Sequence, residues 1–198
     1  MGHPFKHFCT ITHHRHLVIA YCFRAGIGFQ GLFHDLSKYS PREFWAGSKF
    51  YQGTRSPTEA ERETLGASAA WMHHKGRNRH HFEYWTDVNP KTKQYEPVRM
   101  PIRFVKEMLC DRIAASRTYQ GKKYTDAFPL AYFLSGTARK RMHPDTANLL
   151  EGWLRMLAEK GEKETLKRIK KIPNHLSYGV YSVICTTEET GRTEEKRE

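Results

Sequence analysis

Residues 101–119 read PIRFVKEMLCDRIAASRTY, and this segment indicates the fold class. Pro101 suits the first position of a helix, and the apolar residues after it recur at steps of three and four, as on the buried face of a helix. The residues predicted to face the core are Ile102, Val105, Met108, Leu109 and Ile113. Asp111 lies in the middle of the same helix, where a buried carboxylate is costly unless a cation or donors surround it. Asp111 is therefore the first candidate for a functional residue.

Upstream of this segment the sequence predicts further helices. Apolar residues from 13 to 25 follow the same steps, and a short helix is expected from about residue 29 to residue 38. Residues 40–43 (SPRE) and 56–59 (SPTE) each combine a capping hydroxyl, a proline at the first helical position and a carboxylate three residues after the cap. The second signature is expected to open a helix that runs to about His74.

Downstream, residues 75–100 carry glycine, asparagine and proline without a sustained period, which predicts a long surface loop. Loops of this length in a compact domain tend to be functional. Further helices are expected at about 126–140 and 144–159, and a basic stretch follows to Lys171. The inward residues predicted for the helix at 144–159 are Leu149, Leu150, Trp153, Leu154 and Leu157.

Every predicted element is helical, so the fold class is all-α. A chain of 198 residues fits one domain, which we place at residues 1–173. Residues 174–198 are predicted to be a largely disordered tail, because their charged ending cannot form a core.

The composition argues against secreted and membrane proteins. The four cysteines are scattered, which is typical of reduced thiols; they are Cys9, Cys22, Cys110 and Cys185. No stretch approaches the ~20 apolar residues of a membrane span, and no apolar core of a signal peptide is present at the N-terminus. A cytoplasmic protein without a membrane partner is expected.

A formal net charge of +12 predicts attraction to polyanions. Much of the excess lies at residues 77–79 and 139–171, and the second run is interpreted as a solvated helical surface. The expected partner is a phosphate-containing small molecule such as a nucleotide. Nucleic acid and a second copy of the chain stay open as partners.

Twelve histidines are a high count, and several stand in pairs or beside an aspartate. His34 precedes Asp35 directly, and the pairs are His13-His14, His73-His74 and His80-His81. A divalent first-row metal ion accepts imidazole and carboxylate ligands together and leaves positions for water and a phosphate oxygen. Successive helical side chains diverge by about 100°, so Asp35 can bridge toward a second ion while His34 holds the first. Lys38, one turn after His34, can neutralise a phosphate.

The order His, His-Asp, His-His, Asp resembles the HD-domain superfamily of metal-dependent phosphohydrolases over roughly residues 12–124. In that family an early helical histidine, often followed four residues later by an aliphatic residue, is a metal ligand, and His14 with Val18 matches. Residues 31–38 (GLFHDLSK) resemble the HD-x-x-K form, and Asp111 within residues 108–113 (MLCDRI) resembles the closing aspartate. The resemblance implies an HD-domain-like helical bundle with one or two divalent ions, Mn, Fe, Co, Ni, Zn or Mg.

The middle segment is also similar to the HD-GYP branch, which cleaves cyclic dinucleotides. Residues 73–76 (HHKG) and Tyr84-Trp85 resemble its HHE motif and GYP loop, and Arg117-Thr118-Tyr119 resembles its R-x-Y ending. Lys75 replaces the glutamate, and no G-Y-P occurs. The cyclic-dinucleotide substrate is therefore not carried over. Residues 34–41 (HDLSKYSP) and 73–78 (HHKGRN) further resemble a bacterial and phage family of undetermined function, from which no reaction follows.

Together these observations predict a set of site residues. The predicted metal ligands are His14, His34, Asp35, His73, His74 and Asp111. The predicted catalytic residues are Asp35 and Lys38, and the predicted substrate-binding residues are Lys38, Arg77, Arg79 and Tyr84.

Alternatives stay open at this point. His13 lies on nearly the same helical face as His14 and could replace it. His73 and His74 equally suit the dipole at a helix C-terminus. Residues 77–85 fit an ordinary basic, aromatic-anchored surface loop better than a loop that binds the substrate.

Three functions compete. The first is hydrolysis of a phosphomonoester or phosphodiester, with a nucleotide as the expected substrate, by metal-activated water; recruitment of His73, His74 and one of His80 or His81 would favour two ions. The second is a nucleotide-binding or nucleic-acid-binding module without turnover. The third is a di-iron oxygenase on the same scaffold, as in relatives that resemble inositol oxygenase.

Overall fold

The computed structural model describes residues 2–175. The predicted disordered tail, 174–198, lies outside the described residues except for its first two positions. The described helices are α1 (Pro4–Arg24), α2 (Gly28–Gly31), α3 (Pro41–Lys49), α4 (Pro57–Leu65), α5 (Ala69–Lys75), α6 (Ile102–Gln120), α7 (Phe128–Ser135), α8 (Ala138–Arg141) and α9 (Pro144–Lys171).

Three long helices build the core. α1 packs against α6, and α9 packs against both. The residues predicted to face inward on α6 and α9 are all buried, and on α1 Val18, Tyr21, Cys22 and Ala25 are buried with Leu17 partly so. Apolar periodicity predicted these helices correctly because each buries a single stripe against its neighbours.

The predicted helix at 29–38 is wrong. α2 ends at Gly31, residues 32–35 form a turn, and a 3₁₀ turn covers Leu36–Tyr39. Asp35 adopts a left-handed backbone conformation with φ 53° and ψ 24°, which an α-helix cannot contain. The His34-Asp35 pair therefore lies in a turn.

The predicted helix from 56 to about 74 is two helices, α4 and α5. Gly66 has φ 77°, a conformation that glycine adopts without strain, and it ends α4. Ser68 then caps α5, since its side chain accepts a hydrogen bond from the backbone N–H of Trp71 at 2.9 Å. Neither Ser40 nor Ser56 makes a side-chain cap hydrogen bond, so the capping signatures located the helix starts without forming the predicted bonds.

The predicted loop at 75–100 contains a small hairpin, which corrects the all-α prediction to a mostly helical fold. β1 (Thr86–Val88) pairs antiparallel with β2 (Tyr95–Pro97), with Asp87 opposite Glu96. A 3₁₀ turn, Phe82–Tyr84, precedes the hairpin. Each strand has only three residues, which is too short for the alternation of apolar and polar residues to be recognised in the sequence.

The predicted helix at 126–140 is divided into α7 and α8, and α9 runs on past 159 to Lys171. Gly161 interrupts α9 with φ 77° and ψ 169°, and the Asp126 carboxylate accepts the N–H of Glu162 at 3.1 Å where the helix resumes. The basic stretch is therefore helical.

The described cysteines are free: Cys9 is exposed, and Cys22 and Cys110 are buried. Cys185 lies outside the described residues. Among residues 2–175, no helix has both the length and the apolar character that a membrane crossing needs.

Candidate metal centre

Two groups of histidine and carboxylate side chains meet at Asp35. The first group consists of His14 from α1, His34 and Asp35 from the turn after α2, and Asp111 from α6. The second consists of Asp35, His74 at the end of α5, and His80 and His81 from the turn that follows. Within each group the candidate ligand atoms lie within 4.8 Å of one another.

The first group is compact. His14 Nε2 lies 3.1 Å from Asp111 Oδ1, and His34 Nε2 lies 3.6 Å from the same oxygen. His34 Nε2 also lies 3.3 Å from Asp35 Oδ2. The two imidazoles thus present their Nε2 atoms to the same pair of carboxylates.

The second group uses the other oxygen of Asp35. Asp35 Oδ1 lies 3.3 Å from His74 Nε2 and 3.5 Å from His80 Nε2. His81 Nε2 lies 2.9 Å from His74 Nε2. Asp35 therefore bridges the groups, with Oδ2 toward the first and Oδ1 toward the second.

The backbone at Asp35 supports this bridging position. A non-glycine residue in the left-handed region costs about 1 kcal/mol or more, and such conformations persist where the surrounding structure fixes them. Asn78 ties this turn to the end of α5: its side-chain amide donates to Ser37 Oγ and to the backbone oxygen of His74, each at 2.8 Å.

Two buried glutamates orient the histidines. Glu107 Oε1, one turn before Asp111 on α6, lies 2.9 Å from His34 Nδ1 and 3.2 Å from His80 Nδ1. Glu43 on α3 contacts His74 Nδ1 at 2.7 Å and His73 Nδ1 at 2.5 Å. When Nδ1–H donates to a carboxylate, the Nε2 lone pair is left to face the centre.

Several polar atoms at the centre are buried without a hydrogen bond within residues 2–175. They are Nε2 of His14, His34 and His80 and both carboxylate oxygens of Asp35. Asp35 does have an ionic neighbour, since Lys38 Nζ lies 2.6 Å from Oδ2. Buried polar groups are otherwise nearly always hydrogen-bonded, so this set fits ligands that converge on cations.

The protonation states of the two aspartates and of one histidine in the first group favour metal ligation. Burial alone would raise the pKa of Asp35, but the positive charges of His34 and Lys38 hold it well below its ordinary value. Burial would likewise raise the pKa of Asp111, but the contacts with His14 and His34 outweigh it and hold the pKa well below its ordinary value. Burial lowers the pKa of His14. The centre thus combines ionised carboxylates with a histidine that burial keeps neutral.

The pKa values of three further histidines in the two groups are also shifted. Burial, assisted by the charges of His80 and His74, lowers the pKa of His81 well below its usual value. For His34 and His74, burial is outweighed mainly by the charge of Asp35, which raises both pKa values. The charge of Asp35 therefore favours the protonated form of a histidine in each group.

A cavity of about 870 Å³ opens onto both groups, with His14 and Asp111 from the first and His74 and His81 from the second among its lining residues. Lys38 lines it as well. The volume is within the range of small-molecule sites.

The family model described as a family of unknown function (DUF5662) matches residues 3–156. The chain belongs to this family. The matched residues include every candidate ligand of both groups. No curated protein and no solved structure matches the chain.

In this DUF5662 member, five of the six predicted metal ligands lie in the two groups. His14 is buried in the first group, whereas its neighbour His13 is exposed and belongs to neither group. His73 is the exception, because its ring contacts Glu43 and it belongs to neither group.

Only one of the four predicted substrate-binding residues lies at the centre. Lys38 lies at the centre and lines the cavity, whereas Arg77, Arg79 and Tyr84 do not line it. Arg77 is exposed and reaches the backbone of His73, and the guanidinium of Arg79 lies over the Tyr84 ring at 5.6 Å. This placement resembles the surface-loop alternative.

The sequence prediction omitted Glu107 and Glu43, and it did not commit to His80 and His81 as ligands. One available signal was the four-residue step from Glu107 to Asp111, which places two carboxylates on one buried helical face. The sequence places Glu43 in a helix-capping signature, whereas its carboxylate is buried against His73 and His74.

Proposed function

We propose that this DUF5662 protein is a metal-dependent phosphohydrolase with a two-ion centre bridged by Asp35. The observation that carries the proposal is the division of the two Asp35 oxygens between separate histidine groups whose Nε2 atoms are largely without hydrogen bonds. The first ion would be held by His14, His34, Asp35 and Asp111, and the second by Asp35, His74, His80 and His81.

The donor chemistry supports particular metals. Both groups mix imidazole nitrogen with carboxylate oxygen, a set that suits Mn, Fe, Co, Ni and Zn better than Mg. The order of ligands along the chain, a helical histidine, His-Asp, and a later aspartate on a core helix, supports the HD-domain-like arrangement that the sequence predicts.

Bound divalent ions would lower the pKa of a water molecule and polarise a phosphoryl oxygen. The chain supplies the rest. Glu107 and Glu43 keep the imidazole rings oriented. Lys38, whose pKa is raised mainly by Asp35 against the effect of burial, stays positively charged beside the cavity and can attract a phosphate oxygen.

Elemental analysis followed by a phosphate-release screen tests this proposal. Purified protein is expected to hold two transition-metal ions per chain and to release phosphate from nucleotides in the presence of Mn, Co, Ni or Fe. His34→Ala should lose the first ion and activity, while His13→Ala, at the exposed neighbour of His14, serves as the matched control. Metal-free wild-type protein, or activity that survives His34→Ala, would overturn the proposal.

A di-iron oxygenase is the second candidate, because the same mixed donors in both groups suit iron. Iron-dependent oxygen consumption without phosphate release would favour it. A nucleotide substrate, a cytoplasmic location and a homo-oligomer stay predictions.

A further inference from the structure

A basic part of the cavity lies beside the centre and outside both ligand groups. Arg112 follows Asp111 on α6 and lines the cavity. Its Nε atom is buried and has no hydrogen-bond partner within residues 2–175. A guanidinium has five N–H donors, so a buried and incompletely bonded one is costly unless a ligand satisfies it.

Aromatic rings hold two guanidinium groups at this part of the cavity. Arg112 lies over the ring of Phe133 at 5.3 Å, and Arg141, at the end of α8, lies over Phe82 at 5.9 Å. All four side chains line the cavity. Neither arginine forms an ion pair in the part of the chain that the structure describes, so their charges are available to a ligand.

The local charge is positive. Glu83 is the acidic group on which Arg141, Arg112 and Lys75 act electrostatically, and all four residues line the cavity. Glu83 Oε2 is buried without a hydrogen bond within the described residues, and burial raises the pKa of this carboxyl. Asp111 also acts electrostatically on Arg112, so three cations face two carboxyl groups. Burial favours the neutral form of Glu83, one of these two, and this leaves a positive charge that an anion can neutralise.

We propose that Arg112 and Arg141 form a phosphate subsite, separate from the metal centre, which binds a second phosphate group of the substrate. The planar fork of arginine matches phosphate, and the buried Nε of Arg112 is shielded from water. Asp111 and Arg112 are successive helical residues whose side chains diverge by about 100°. The same helix can therefore contribute Asp111 to the metal centre and Arg112 to the phosphate subsite. This inference rests on the proposed function and narrows its substrate to compounds with more than one phosphate.

The test uses inorganic phosphate and the full chain freed of metal by a chelator, with binding followed by phosphorus NMR at mildly alkaline pH. Wild-type protein is expected to bind phosphate, and Arg112→Gln should weaken binding about tenfold or more, the equivalent of one charge-assisted hydrogen bond. Arg103→Gln is the matched control: Arg103 is on the same helix, is exposed, does not line the cavity and also lies over a phenylalanine, Phe104.

Equal weakening by Arg112→Gln and Arg103→Gln would mean diffuse attraction and would overturn the subsite, as would no phosphate binding by wild-type protein. If Arg112→Gln fails to fold by circular dichroism, Arg141→Gln, on a short peripheral helix, gives the same test. Because the protein is metal-free, phosphate binding can succeed when metal loading fails, so this inference and the proposed function fail separately.

Discussion

Oε1 of Glu107 lies 2.9 Å from Nδ1 of His34, deep in the core and one helical turn before Asp111. This contact fixes the ring of His34 so that Nε2 faces Asp35 and Asp111. The same oxygen lies 3.2 Å from His80 Nδ1, so one carboxylate orients a histidine of each group.

Glu107→Gln is expected to weaken metal binding about 10–100-fold, the usual cost of losing a carboxylate that orients a ligating histidine. Metal titration with a competing chelator measures the effect. The exposed Glu159→Gln on α9 provides a control with the same change of charge. Unchanged metal affinity in Glu107→Gln would contradict the orienting role.

The second ion should depend on His81 and not on His73. His81→Gln is expected to reduce the metal content from two ions to one, because His81 belongs to the second group. His73→Gln should keep both ions, since His73 contacts Glu43 outside either group. Elemental analysis of both variants shows which histidine the second ion requires. Loss of one ion in His73→Gln but not in His81→Gln would favour His73 as the ligand, as predicted from the sequence.

Lys106 should stabilise the end of α9. Its side chain is 1% exposed, and Nζ donates to the backbone oxygen of Ile172 at 2.7 Å and to Asn174 Oδ1 at 2.9 Å. Lys106→Met removes both hydrogen bonds and leaves the backbone oxygen of the partly buried Ile172 without its protein donor, so it should lower the free energy of unfolding by about 1–3 kcal/mol. Urea denaturation measures the loss, with Lys167→Met at an exposed position as control. Equal stabilities for the two variants would refute the stabilising role of Lys106.

His7 should contribute to acid sensitivity. Burial, and then the charge of Lys38, lower its pKa from 6.5 to about 4. The unfolded chain therefore binds a proton at His7 before the folded chain does, so stability is present above pH 6.5 and is lost as the pH falls toward 4. The unfolding free energy of His7→Gln should fall less steeply across this window, and parallel wild-type and variant curves would argue against the effect.

The sequence alone predicted the helical class, the inward stripes of α1, α6 and α9, and five of the residues that meet at the centre. Apolar periodicity is a local property, because one helical face is buried whatever it packs against. Asp111 was found for a related reason: a carboxylate on an apolar helical face requires partners.

Tertiary structure decided the rest. Whether His14 or His13 faces the centre depends on the rotation of α1 against α6, and His80 and His81 reach Asp35 only because the turn after α5 folds back onto residues 34–37. Packing likewise sets the left-handed backbone conformation of Asp35. It also places the Glu43 carboxylate against His74, where the sequence predicts a helix-capping role. Such contacts join residues far apart in the chain, and local sequence patterns do not encode their distances.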